Sequence, residues 1–262
     1  MARMTENNLL IAPEYLSPSS ISTFQQCPLK FKYSRIDKLS EPPTEATIRG
    51  NFVHDIMEAL YGLDPEQRTQ DSAKELARSL WGGTWEARAS ELIPDSKKLH
   101  EFRWSAWWCV ANLWNLEDPT LVTPAGLEKE VLATIGGVAV RGFIDRYSAT
   151  DDGITISDYK TGKKPHPRYQ SDKFFQLFVY ALAIQELDIG HVKNVELLFL
   201  KESLRLMHDV TPDDLEETKE TIVSVRRGID SRCANNDFEP KTHKLCDWCH
   251  FKPICPAWKG KR

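Results

Sequence analysis

Two short segments carry the densest chemistry in the chain: Gly142-Phe143-Ile144-Asp145-Arg146 and Ser157-Asp158-Tyr159-Lys160-Thr161-Gly162. Side chains on a β-strand alternate between faces. Ile154, Ile156, Asp158 and Lys160 therefore share one face, apolar at its start and ionic at its end. Burying a carboxylate and an ammonium there is costly unless they serve a purpose. Asp145 lies on the preceding strand, one turn away, and can converge on the same point. Two carboxylates at one strand edge repel each other unless a divalent cation sits between them. Oxygen ligands favour hard ions such as Mg²⁺ or Mn²⁺. Lys160 can then orient an attacking water or stabilise charge on a pentacovalent phosphate. Metal, lysine and water together would hydrolyse a phosphodiester. Spacing alone leaves a second reading open, a surface Asp–Lys pair beside a turn.

Cysteines form the second constellation. Cys246, Cys249 and Cys255 have metal-ligand spacing, and Cys27 is the candidate fourth thiolate. Proline follows both Cys27 and Cys255, as it does at ferredoxin-type cluster ligands. Tetrahedral zinc would use the same four thiolates, so spacing does not separate zinc from an iron–sulfur cluster. Cys246-Asp247-Trp248-Cys249-His250 also fits a c-type haem attachment pattern, which the lack of an export signal argues against. Cys109 reads as buried packing and Cys233 as an inert thiol.

The elements that must position these groups follow from pattern and punctuation. The chain has 262 residues, 41% of them hydrophobic, and a formal net charge of −4. This is enough chain to bury a core without staples. The charge excludes a nucleic-acid binder announced by bulk basicity, so any polyanion site must be a local patch. No apolar run is long enough for a membrane span, and a cytoplasmic setting is expected. Ser17-Pro18 reads as a cap and first residue of a helix that Pro28 interrupts. Residues 1–15 are expected to be flexible. Helical patterns follow over 46–61, 71–90 and 96–116. Trp104, Trp107, Trp108 and Trp114 repeat at helical spacing, a stripe that could stack single-stranded bases but is more simply a packing face. Strands are expected at 127–135, 137–147 and 154–160, with Gly136-Gly137 as a hairpin turn. A helix over 171–188, a strand over 193–200 and a helix over 212–230 complete an α/β domain around a mixed sheet. Gln176 and Tyr180 fall at i and i+4 on one helix face.

Taken together, Gly50-x-x-x-His54, Gly142-x-x-Asp145, Asp158-Tyr159-Lys160-Thr161-Gly162 and Gln176-x-x-x-Tyr180 resemble the RecB-like branch of the PD-(D/E)xK nucleases. The opening Leu16-Ser17-Pro18-Ser19-Ser20 through Cys27-Pro28 is similar to that branch as well. The resemblance spans Leu16 to Pro256 and implies a single restriction-endonuclease-like domain, with 70–116 as a helical insertion and 17–35 joined to 240–258 as a cluster region. It implies His54, Asp145 and Asp158 as ligands of Mg²⁺ or Mn²⁺, with the Tyr159 carbonyl as a further ligand and Lys160 as the catalytic lysine. Gln176 and Tyr180 would organise the site around nucleic acid. Glu130 matches an acidic position on the first strand, with Glu128 its rival. For the cysteines, the resemblance tips the balance to a [4Fe–4S] cluster on Cys27, Cys246, Cys249 and Cys255, with zinc as the alternative.

The basic residues Lys163, Lys164, His166, Arg168 and Lys173 follow the lysine motif. They would hold phosphates without reading sequence, or be solvated surface. The expected activity is a metal-dependent deoxyribonuclease, an exonuclease on single strands or DNA ends in recombination, repair or CRISPR-type processing. The alternative is a DNA-binding or assembly subunit with secondary cleavage or none. The chain lacks the Gly-x₄-Gly-Lys-Ser/Thr phosphate loop, so a helicase motor would be a partner chain, as would a recombinase or integrase.

Overall fold

The computed structural model describes residues 10–166 and 171–259. Arg168, Lys261 and Arg262 lie outside these residues, as do residues 1–9 of the expected flexible start. The chain gathers into two compact units. One comprises 10–41, 132–141 and 216–259; the other comprises 42–131 and 142–215.

The second unit holds most of a five-stranded sheet in the order β1 (Pro124–Ile135), β2 (Val138–Thr150), β3 (Gly153–Lys160), β4 (Val192–Phe199), β5 (Leu204–Asp209). β2–β3 and β4–β5 are antiparallel, and β3–β4 is parallel. Gly136 and Gly137, with φ of +56° and +82°, make the two-residue β1–β2 turn, where left-handed backbone matches strand twist. A parallel pair needs a long crossover, supplied here by α7 (Ser171–Glu186). β5 was not expected from the sequence. It is a six-residue edge strand whose alternate residues are only half-buried, so its apolar signal is weak.

The helices before the sheet are α1 (Pro18–Gln26), α2 (Pro28–Phe31), α3 (Glu45–Tyr61), α4 (Gln70–Leu80), α5 (Glu86–Leu92) and α6 (Ser96–Ala111). Each long one starts at a side-chain cap. Ser17 and Ser20 form a reciprocal capping box, while Thr44, Thr69 and Asp95 accept from backbone N–H groups three residues on. The helix expected over 71–90 is broken by a π-helical turn at Trp81–Trp85. Gly82-Gly83 lie in that turn and favour irregular backbone. Phe52, Ile56 and Leu60 of α3 pack with Trp81, Trp85, Phe102 and Val110 into one core that reaches Tyr159 on β3.

In the other unit, Leu16 bridges β2 by accepting from Arg141 N–H and donating to Ala139 O. The C-terminal part of α8 (Pro212–Asn235) passes close to α1, so that a Cβ on Gly228 would stand 3.1 Å from the Phe24 ring. The tail is held by two short 3₁₀ turns, Lys244–Trp248 and Lys252–Ile254. Among the described residues no helix is long and apolar enough to cross a membrane.

Candidate active site

The second unit brings His54, Glu128, Asp145, Asp158, Tyr159 and Lys160 to one end of the sheet. The β2–β3 ladder runs from Thr150↔Gly153 to Arg146↔Ser157. One residue further, the Asp145 carboxylate accepts from the Tyr159 N–H at 2.9 Å. A side chain thus takes over where the backbone ladder ends, which fixes Asp145 against β3.

His54 enters from α3. Its Nε2 lies 2.9 Å from the Tyr159 carbonyl, and its Nδ1 lies 3.3 Å from Asp145 and 3.9 Å from Glu128. One ring nitrogen is therefore oriented by a backbone oxygen and the other faces two carboxylates. That is how a ligating imidazole is held in register. The Tyr159 carbonyl, expected as a ligand, is engaged here by His54. Burial opposes charging of His54, but hydrogen bonds to Asp145 and Glu128 outweigh it and raise its pKa to about 10. One donor atom each from His54, Glu128 and Asp145 lie within 4.8 Å of one another. A nitrogen and two carboxylate oxygens at this spacing suit a hard or borderline divalent cation. To hold a cation here His54 would have to give up its imidazolium proton, and the metal would supply the positive charge in its place.

Asp158 is 2% exposed, and its Oδ2 lies 2.5 Å from Lys160 Nζ without a well-aligned hydrogen bond. Burial and the neighbouring Asp145 push the Asp158 carboxyl up, against the pull of Lys160. Burial would lower the Lys160 pKa, but Asp158 more than offsets this and holds it as an ammonium. On α7, Gln176 Nε2 donates to the Tyr180 hydroxyl at 3.1 Å, and burial raises the Tyr180 pKa to about 12. Gly142 makes room for this tyrosine: a Cβ there would stand 2.5 Å from the Tyr180 ring.

Not every expected residue joins the group. Glu130 is exposed, whereas Glu128 faces His54. The two were expected on one strand face. Glu128, however, has a left-handed φ of +39°, a bulge-like conformation that breaks the alternation. Asp158 stands with Lys160 rather than in the His54–Glu128–Asp145 trio. Lys163, Lys164 and Lys173 are exposed, and Lys164 N–H donates to Glu202.

Behind the site lies a network that sequence reading missed. Arg146 is buried between the Tyr61 and Tyr159 rings, 4.6 and 5.5 Å from their centres. It pairs with Glu117 at 2.5 Å and Glu196 at 3.3 Å, and it donates to Ser157 at 3.1 Å. The signal was an arginine on the same strand face as Val138, Val140 and Ile144.

The four cysteines of the expected cluster line one cavity of about 250 Å³ in the other unit. All four are half-buried. Lys241 N–H points to Cys27 Sγ at 3.5 Å and His243 N–H to Cys246 Sγ at 3.4 Å. Cys109 and Cys233 are buried elsewhere, and burial raises both thiol pKa values.

The chain is 26% identical to the Gene 69 protein of Mycobacterium phage D29, over 93% of this chain and 97% of that one. It is 24% identical to the Gene 69 protein of Mycobacterium phage L5, over 93% and 96%. An 85-residue stretch, 31% of this chain, is 35% identical to an ATP-dependent helicase/nuclease subunit of Lacticaseibacillus casei, of which it covers 7%. The fold matches a crystal structure from Eubacterium rectale named "Putative exonuclease", with a TM-score of 0.59 at 15% identity over 100% of this chain and 94% of that one. The model of the PD-(D/E)XK nuclease superfamily matches residues 15–256, and the chain belongs to that superfamily.

Proposed function

We propose that the protein is a metal-dependent deoxyribonuclease acting as an exonuclease on single strands or DNA ends. The observation that carries this reading is the meeting of the His54–Glu128–Asp145 trio with the buried Asp158–Lys160 pair at one sheet end. His54, Glu128 and Asp145 would hold Mg²⁺ or Mn²⁺, with Asp158 assigned as a further ligand. The cation, when bound, supplies Lewis-acid charge at the scissile phosphate. Lys160 places its ammonium where negative charge builds during attack by water. Asp145 keeps the strand end closed through the Tyr159 N–H. Gln176 and Tyr180 form a hydrogen-bonded pair on α7 that would orient the substrate backbone. Lys163, Lys164 and Lys173, all exposed, would meet phosphates, and Arg168 is assigned the same role from sequence alone.

We also assign a [4Fe–4S] cluster to Cys27, Cys246, Cys249 and Cys255. Two backbone N–H groups directed at cysteine sulfurs support it, because such donors stabilise cluster-bound thiolates. Tetrahedral zinc on the same four thiolates is the alternative. The likeness to a helicase/nuclease subunit supports a partner motor chain.

The test is degradation of end-labelled single-stranded DNA with Mn²⁺ by wild type and by Lys160→Ala. Wild type should release label, and the variant should lose at least about a hundredfold in rate with an unchanged melting temperature. Equal cleavage by both would remove Lys160 from the mechanism. DNA binding without cleavage by either, from protein with its metals intact, would favour a binding or assembly subunit.

A further inference from the structure

Between α4 and α6, the second unit opens a pocket of about 290 Å³. Its wall is unlike the rest of an acidic chain. Lys74 and Arg78 line it from α4, and His100, Arg103, Trp104 and Trp107 line it from α6. Each set falls on one helix face, at i and i+4 or at i, i+3, i+4 and i+7. Phe52 forms part of the apolar lining, and no carboxylate lines the pocket among the described residues.

Two features make this a built surface. First, the tryptophans divide. Trp81 and Trp85 are in the core, with Asp55 taking the Trp85 indole N–H at 2.8 Å. Trp104 is 56% exposed, although burial of an indole is strongly favourable. The core therefore accounts for Trp81 and Trp85, with Trp107 and Trp114 packed against it, and not for Trp104 or Trp108. Second, the exposed ring is held. Trp104 Nε1 donates to His100 Nε2 at 2.8 Å, with the two rings at 70°. Lys74 Nζ lies 5.9 Å from the Trp107 ring, and the Arg103 guanidinium lies 5.4 Å from the Trp81 ring. Of the pocket's cations, Lys74 has a carboxylate partner, the exposed Asp71 at 3.1 Å. Fixed aromatic faces beside Arg78 and Arg103, which have no carboxylate partner among the described residues, match a ligand that is planar and anionic at once.

We propose that this pocket binds single-stranded DNA, with a base stacked on Trp104 and flanking phosphates met by Arg78, Lys74 and Arg103. Base–aromatic stacking tolerates any sequence, and cations along the same groove track the backbone. A duplex cannot enter, because its bases are already stacked on one another. The pocket rests on the nuclease reading for its ligand class and deepens it, since it gives the enzyme a strand-holding site on the helical segment separate from the carboxylates.

The test uses the full chain carrying Lys160→Ala, without added divalent metal, and fluorescence anisotropy of labelled oligo(dT) of about 20 nucleotides. Adding Trp104→Ala should weaken binding about five- to 150-fold, and Trp104→Tyr should restore most of it. Arg78→Ala should reduce the slope of log affinity against log salt by about 0.7. Binding of a blunt duplex of equal length should not depend on Trp104. Unchanged oligo(dT) affinity in Trp104→Ala, an equal loss on duplex, or no oligo(dT) binding by the parent would each overturn the proposal. Cleavage by otherwise wild-type protein in Mn²⁺ is scored separately. Cleavage with Trp104-independent binding removes the pocket and keeps the nuclease. Trp104-dependent binding without cleavage removes the nuclease and keeps the pocket.

Discussion

The carboxylate centre and the cysteine cavity are held by opposite means. Asp145 and Asp158 sit on strands, and His54 sits on a 17-residue helix whose apolar face is in the core. Arg146 ties β2, β3 and β4 together directly behind them. Groups that repel one another are thus kept close by structure that exists without them. The cysteines of the tail instead lie in or directly after 3₁₀ turns of five and three residues. Leu245, Trp248 and Ile254 there are 54%, 79% and 44% exposed, and Phe251 is the tail's buried anchor, 5.4 Å from the Tyr33 ring. So little apolar burial is small against the entropy of ordering a tail. One site is positioned by the fold; the other must help to position its own segment.

The largest expected effect therefore falls on the tail. Cys249→Ser should abolish the broad visible absorbance of an iron–sulfur protein and open the region beyond residue 240 to limited proteolysis. The core around α3 and α6 should stay resistant. Metal-held segments commonly draw about 10 kcal/mol or more from their ligands, far more than two short turns supply. A colourless wild-type protein containing zinc would replace the cluster by zinc. A variant as resistant as wild type would show that the tail orders itself, and the contrast between the two regions would fail.

The next effect tests the other half of the comparison. Arg146→Met leaves Glu117 and Glu196 buried with Arg205, at 3.1 and 3.4 Å, and the Tyr61 and Ser157 hydroxyls to meet them. Breaking such a buried network costs about 3–5 kcal/mol, measurable by urea unfolding at pH 7. The pH dependence has a definite sign. Burial would raise the Glu117 carboxyl, but Arg146 outweighs it and holds the pKa below the usual range. Its contribution is present above the unfolded carboxylate value, about 4.3, and is lost as pH falls through the lower folded value. Without Arg146 the burial of Glu117 favours its protonated form instead. The stability gap between wild type and variant should shrink as the solution is acidified. A gap independent of pH would mean that packing of the arginine stem, not its charge, braces the strands.

How much of this was legible follows the same division. Ser17-Pro18, Gly136-Gly137 and the Ile154–Lys160 alternation are local signals, and the structure realises each as a cap, a turn and a strand. His54, Asp145, Asp158 and Lys160 were named from sequence and come together. What escaped depends on distant or irregular features. Glu128 takes its place through one left-handed residue that a period-two reading cannot register. Arg146 is explained by Glu117 and Glu196, which lie 29 and 50 residues away. The division into two units joins segments from the start, middle and end of the chain, so no linker marks it. Trp81 and Trp104 carry identical hydrophobic signals, and only the packing separates the buried from the exposed.

The smallest effect concerns Gly50, the glycine one helical turn before His54. Inside α3 its backbone is helical, so it needs no glycine conformation, and glycine there costs about 0.5–1 kcal/mol relative to alanine. A Cβ would meet Thr161 Oγ1 at 3.7 Å, an ordinary contact. Gly142 is the opposite case, since its Cβ would stand 2.5 Å from the Tyr180 ring and force that ring out of place. Gly50→Ala should therefore raise the unfolding free energy by about 0.5–1 kcal/mol with activity kept, while Gly142→Ala should cost about 1–3 kcal/mol together with activity. Urea midpoints and cleavage rates on one preparation check both. If Gly50→Ala is more stable and yet inactive, the space above that glycine is not packing space. It would then belong to the substrate, and the carboxylate centre would extend along α3 beyond His54.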